Sequence, residues 1–291
     1  MCIRDSRITN GHTNLGGRDG FGSDEAAGAD RGRGVMRAAD RVATAAGLAT
    51  IAGMIATPLL PQGGRGRRIL STVVVTGMWA TTTANAVRRW GPVRAAAASA
   101  STATATAAVE RIGTRTGLPF GRYAYTDALR PQLAHVPVIV PLAWFGMGLP
   151  AREAAHSALG EHSTPTARIT LGAAAMTAWD LFLDPQMVGE GYWAWARRGV
   201  YRGIPLSNFA GWFITGVGIM ALFELALPVE DADHDTDRPD VRLVAEYGYM
   251  SVMQTLGFAR YFRDPVVAVV GGLGMIPVAA TAVIQLIRRT S

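Results

Sequence analysis

From residue 42 onward the chain alternates between long apolar runs and short polar connections. The runs fall at 42–60, 69–87, 93–109, 133–149, 169–184, 208–227, 241–258 and 266–287. A helix needs roughly 20 mostly apolar residues to cross the hydrocarbon core of a bilayer. The pattern therefore predicts an all-α protein, a polytopic integral membrane bundle of seven or eight transmembrane helices. The run at 93–109 is mostly Ala, Ser and Thr, residues that suit close packing between helices. The run at 133–149 contains Pro137 and Pro141, which predict a kink with freed backbone groups. Pro185 predicts that the helix over 169–184 ends at Asp184, because the residue before a proline is pushed out of helical geometry. The run at 241–258 is amphipathic and carries Glu246, Tyr247 and Tyr249. Residues 1–34 are rich in Gly, Asp, Asn, Arg and Ser without apolar period and read as a disordered tail, leaving 35–291 as one membrane domain. No secretory signal is expected, since the first apolar run starts late and is long.

Composition agrees. Charged residues make up 17% of the 291, against about 25% in an average soluble domain. Mean hydropathy is positive, at +0.18. All 28 basic residues are arginine, as codon bias in a GC-rich genome produces, so the net charge of +6 implies no nucleic-acid partner. Arginines flanking apolar runs are instead what a membrane protein carries. Arg65, Arg67 and Arg68 follow the first run and Arg88, Arg89 and Arg94 the second. Both sets cannot lie inside if the helix between them spans, so orientation stays open. The lone cysteine, Cys2, allows neither an internal disulfide nor a cysteine metal cluster.

The densest chemistry lies at 177–212, which holds Asp180, Asp184, Tyr201, Asn208 and four tryptophans: Trp179, Trp193, Trp195 and Trp212. An aspartate inside an apolar span costs about 2.5–3.5 kcal/mol on insertion scales, which makes Asp180 a functional candidate. Asp184 follows four residues later, on the same helix face. The plainer alternatives are an interior arginine partner for the acid and an interfacial belt for the tryptophans. A second cluster, 117–127, carries Tyr123 and Tyr125 and reads as a pocket wall or an interfacial loop. Glu224 and Glu246 are lone acids in apolar runs, fit for function or for an arginine salt bridge. His12, His135, His156, His162 and His234 show no metal-ligand spacing, and no phosphate loop, dinucleotide fingerprint or nucleophile elbow occurs.

Taken together, Trp179-Asp180-Leu181, Asp184-Pro185-Gln186-Met187-Val188, Gly191, Trp193, Trp195, Tyr201, Gly203-Ile204-Pro205-Leu206, Asn208 and Gly211-Trp212 resemble the membrane carotenoid-biosynthesis protein family. That family includes carotenoid 1,2-hydratases of the bisanhydrobacterioruberin and γ-carotene type. Gly121-Arg122-Tyr123-Ala124-Tyr125, Val136-Pro137 and Pro141-Leu142-Ala143-Trp144 share its pattern, so the resemblance covers about 117–224. It implies addition of water to the terminal C1=C2 bond of an acyclic carotenoid, in the bacterial cytoplasmic membrane, with neither redox cofactor nor metal. The implied partners are the carotenoid, membrane lipid and other enzymes of the pathway, such as a glycosyltransferase.

Such a reaction needs a proton delivered to C2, a tertiary cation at C1 and capture by water. A carboxyl group that keeps its proton near neutral pH can deliver it, and burial beside a second carboxylate favours that state. Asp180 and Asp184 are the expected acid and base, with Asn208 holding the water. Trp179, Tyr201 and Trp212 are expected to stabilise the cation through their aromatic faces. Tyr123, Tyr125, Trp193 and Glu224 complete the expected substrate-binding set. Two other readings carry different tests. The Asp180/Asp184 spacing also occurs in magnesium-dependent intramembrane prenyltransferases, which need a second acidic motif, for which Asp233 and Asp237 have the spacing. A non-catalytic carotenoid-binding scaffold needs the same apolar and aromatic lining.

Overall fold

A computed structural model describes residues 19–229 and 238–290. It divides into residues 1–38 and a compact unit of 39–291. In the first unit the described part is the start of helix α1 (Asp19–Ala56). Residues 19–34, within the expected tail, belong to this helix; 1–18 lie outside the described residues.

Six further helices follow: α2 (Arg65–Thr116), α3 (Ile139–Leu159), α4 (Pro165–Gly189), α5 (Leu206–Ala226), α6 (Val241–Arg260) and α7 (Pro265–Thr290). Four short strands form two ladders. β1 (Tyr123–Tyr125) pairs antiparallel with β4 (Trp193–Trp195), and β2 (Gln132–Leu133) with β3 (Val136–Pro137). Among the described residues the protein is all-α apart from these ladders.

The 52 residues of α2 are not one rod. Gly91 sits at φ 82°, ψ 163°, a backbone region essentially reserved for glycine, and Pro92 follows it. Trp79 Nε1 donates to Ser99 Oγ at 2.9 Å. A straight helix would hold those residues about 30 Å apart, so the chain doubles back at Gly91. The runs at 69–87 and 93–109 are thus two antiparallel rods, as separate apolar runs predicted.

Two proline expectations are corrected. The fourth helix begins at Ile139, not near 133. Pro137 lies in β3, and Pro141 occupies the first turn of α3, where its missing N–H is not needed. Neither kinks the helix; its interior proline is Pro150. Likewise α4 does not stop at Asp184 but runs through Pro185 to Gly189. Pro185 cannot donate to the carbonyl of Leu181, four residues back. The Tyr201 hydroxyl donates to that carbonyl instead, at 2.8 Å, so the helix continues without an orphaned acceptor.

Among the described residues three helical segments are long and apolar enough to cross a membrane: Gly32–Leu59, Leu206–Ala226 and Pro265–Arg289. The other helices carry polar residues turned inward. Thr82, Asn85, Thr102, Thr106 and Glu110 on α2, Arg152 and Glu153 on α3, and Arg168, Asp180 and Asp184 on α4 are all buried. Among them pack Trp144, Phe145 and Met147 of α3, Met176 and Phe182 of α4, and Met220 and Phe223 of α5. Gly271 lets α7 seat on α4, since a Cβ there would lie 2.5 Å from the Phe182 ring.

Candidate active site

Asp180 and Asp184 stand one turn apart on α4, and Asn208 projects from the first turn of α5. The Asn208 amide has two N–H bonds and uses both. Nδ2 donates to Asp180 Oδ2 at 2.7 Å and to Asp184 Oδ2 at 2.5 Å. Trp193 Nε1 donates to Asp184 Oδ1 at 3.0 Å. Asp180 Oδ1 has no hydrogen-bond partner. Both aspartates are buried, at 0% and 2% exposure, so the pair is shielded from bulk water.

The β1–β4 ladder supplies an aromatic wall. Residues two apart on a strand share a face. Tyr123 and Tyr125 therefore lie together, opposite Trp195 and Trp193 in register. Ring centroids are 5.0 Å apart for Tyr123–Trp195 and 5.6 Å for Tyr125–Trp193. Behind them Trp144 stacks on Trp212 at 4.3 Å, and Trp179 meets Trp212 edge-on at 6.2 Å.

The tyrosines also reveal a residue that the sequence did not single out. Both hydroxyls donate to the same oxygen, Oε2, of Glu110, Tyr125 at 2.7 Å. Burial, followed by the charge of Glu110, pushes both phenols above their usual range, so both remain donors. Glu110 ends the Ala/Thr run, where an acid reads as an ordinary flank. The usable signal was the insertion cost already applied to Asp180, because Glu110 is only 4% exposed.

Asp184, Asn208, Glu110, Tyr123, Tyr125 and Trp212 border a space of about 50 Å³. A water molecule needs about 10–15 Å³ of such space, so there is room for a few waters and not for the end group of a polyene. An apolar cavity of about 380 Å³ adjoins it, and Val75, Ile139, Leu183 and Met187 wall both. Trp179 faces the apolar cavity. The structure thus brings Asp180, Asp184, Asn208, Tyr123, Tyr125, Trp193 and Trp212 together.

Two expected site residues are placed elsewhere. Tyr201 spends its hydroxyl on the Leu181 carbonyl, and burial pushes its phenol up to about 12, so it supports α4 as a donor. Glu224 lies at the other end of α5 from Asn208, about 24 Å along the helix. Its carboxylate meets Arg168 at 2.5 Å and Arg152 at 3.8 Å, so Glu224 takes the arginine salt bridge rather than the substrate role. Glu246 accepts from Asn85 Nδ2 at 2.5 Å and lies 2.8 Å from Thr82 Oγ1. Among the described residues no three His, Cys, Asp or Glu side chains converge to hold a metal ion. Asp233 and Asp237 lie outside the described residues.

The sequence pattern of the family described as "Carotenoid biosynthesis protein" matches residues 68–278, well over half of the chain and every residue of this site. The chain belongs to that family. One curated relative of this carotenoid biosynthesis protein is the bisanhydrobacterioruberin hydratase of Haloarcula japonica, 34% identical over 118 residues. That alignment spans 40% of this chain and 40% of the relative's length. No solved structure matches the chain.

Proposed function

We propose that the protein is an integral membrane carotenoid hydratase that adds water across the terminal C1=C2 bond of an acyclic end group, giving a tertiary alcohol. One observation carries the reading. Asn208 ties two buried carboxyls together where a small, mostly apolar space that Asp184, Asn208 and Glu110 edge meets a larger apolar cavity. The partial likeness to a hydratase supports the same assignment.

In this reading the polyene lies in the apolar cavity with its terminal double bond at the Leu183–Met187 border. Asp184, which faces the small space, transfers a proton to C2. The two π electrons form the new C–H bond, leaving a cation at C1. Asp180, buried behind Asn208, raises the energy of a second negative charge and so keeps one proton on the pair. The faces of Trp212 and Trp193 stabilise the cation. Water from the small space then attacks C1. The rest of the polyene has an apolar path: the cavity meets another of about 470 Å³ at Met78 and Met250. The lining residues from Arg242 on α6 to Tyr261 just past its end extend about 28 Å, close to the thickness of the hydrocarbon core and the length of a carotenoid. The bundle spans the bacterial cytoplasmic membrane with α2 contributing two of eight transmembrane rods, and the alcohol passes to a later enzyme such as a glycosyltransferase.

The test is expression of the full chain in a host that accumulates lycopene, with pigments resolved by liquid chromatography and mass spectrometry. A more polar pigment heavier by one water is expected, formed equally in the presence of chelator. Asp184→Asn and Asp180→Asn should each lower it by about 100-fold or more, the usual weight of a general acid. Wild-type amounts of product from both variants, at normal protein levels, would sink the assignment.

A further inference from the structure

Hydration requires a second proton transfer. The water that attacks C1 arrives as a neutral molecule and must lose a proton to become the alcohol. The Asp180–Asp184 pair is poorly placed to accept it at that moment. Asp184 already takes hydrogen bonds on both oxygens, from Trp193 and Asn208, and Asp180 stands outside the walls of the water-sized space. Glu110 is the other carboxyl group on those walls. It comes from the far rod of α2, so it approaches the space from another element than α4. Its Oε2 receives two phenol hydrogens, which fixes the plane of the carboxylate. The ring of Tyr125 in turn packs on Trp193, the donor to Asp184. Acid and base are thereby held in one aromatic frame.

We propose that Glu110 is the catalytic base, held by Tyr123 and Tyr125, that takes the proton from the water attacking C1. The inference rests on the hydratase reading. In atoms, the proton of Asp184 goes to C2, the water oxygen bonds to C1, and one water hydrogen goes to Glu110. One proton exchange with solvent then returns both carboxyls to their starting state.

The two proton steps separate in heavy water. Membranes holding the full-length protein are incubated with lycopene in deuterated buffer, and the alcohol and the recovered lycopene are analysed for mass. Protonation at C2 without capture of the cation reverses, and loss of the original hydrogen leaves deuterium in the recovered alkene. Glu110→Gln should form alcohol about 100-fold more slowly yet still place deuterium in recovered lycopene. Asp184→Asn should do neither. Tyr125→Phe, which leaves Glu110 one of its two donors, should slow alcohol formation about tenfold with exchange retained, and it stands in if Glu110→Gln fails to accumulate. Wild-type alcohol formation by Glu110→Gln would overturn the proposal. So would equal loss of alcohol and exchange in Glu110→Gln or Tyr125→Phe, which would make the glutamate structural or part of the acid. If the wild-type protein yields neither alcohol nor exchange, the hydratase reading itself fails.

Discussion

Asn208 is a neutral side chain placed where two negative groups would otherwise repel. Its amide offers one hydrogen to each aspartate, and no other residue type of similar size does this without adding charge. Asn208→Leu should therefore cost more than a lost contact. Both carboxyls would stay buried without their shared donor, at about 1–3 kcal/mol for each unpaired group. Hydration should fall at least 100-fold, and the melting temperature of the detergent-purified protein should drop; near-normal turnover would show that the bridge is incidental. The chain itself displayed these three residues, because acids inside an apolar run and a nearby Asn stand out against their surroundings. Glu110 did not stand out. It sits at the edge of its run, and its partnership with Tyr123 and Tyr125 depends on how the 117–125 turn folds back on α2. Tyr201 and Glu224 stood out for residue type, yet each is used by the backbone or by an arginine.

Helix ends were the least legible elements, and proline is the reason. A proline marks a missing N–H and a steric preference, but whether it ends a helix depends on what becomes of the carbonyl four residues back. At Pro185 that carbonyl has the Tyr201 hydroxyl, a contact from a loop 20 residues on. Asp184 thereby stays on the helix, one turn from Asp180, rather than fraying into the loop. Tyr201→Phe removes the donor and leaves the part-buried Leu181 carbonyl unpaired. A loss of about 1–3 kcal/mol in stability is expected, together with slower hydration as the last turn of α4 loosens. With the phenol pushed up to about 12 from a usual value near 10, the stabilisation is complete below pH 10. It is lost as pH rises through about 12, so the wild-type advantage over Tyr201→Phe in melting temperature should be flat from pH 6 to 9. A dependence on pH within that window would point to a different partner for the hydroxyl.

Across the whole molecule, polar chemistry is divided between two ends of α5. Asn208 opens the helix at the carboxyl pair, and its C-terminal end enters an ionic cluster. There Arg152 is fully buried, donates to the Leu227 carbonyl at 2.7 Å and pairs with Glu153 at 2.6 Å. Arg168 holds Glu224 at 2.5 Å, and Glu153 accepts the Asp240 N–H at the start of α6 at 2.8 Å. The cluster fastens α3, α4, α5 and α6 without touching the residues assigned to the reaction. Apolar periodicity concealed it, since a charge satisfied inside a bundle lowers the hydropathy of its helix without opening a loop. Such a cluster specifies how helices meet more than it stabilises them. Removing one member of a buried pair costs about 3–5 kcal/mol, because the other charge is stranded, whereas replacing both with apolar residues of similar volume is often close to neutral. Arg152→Met should thus lower folded yield and melting temperature sharply, and the double change Arg152→Met with Glu153→Leu should recover much of the loss. Hydration per folded molecule should stay within about twofold in both, because Asn208, which bridges the carboxyl pair, lies about 24 Å from Glu224 along α5. A fall in specific activity that tracks the arginine and survives the double change would mean that the cluster reaches the site through α5, and that the two ends of the bundle are coupled.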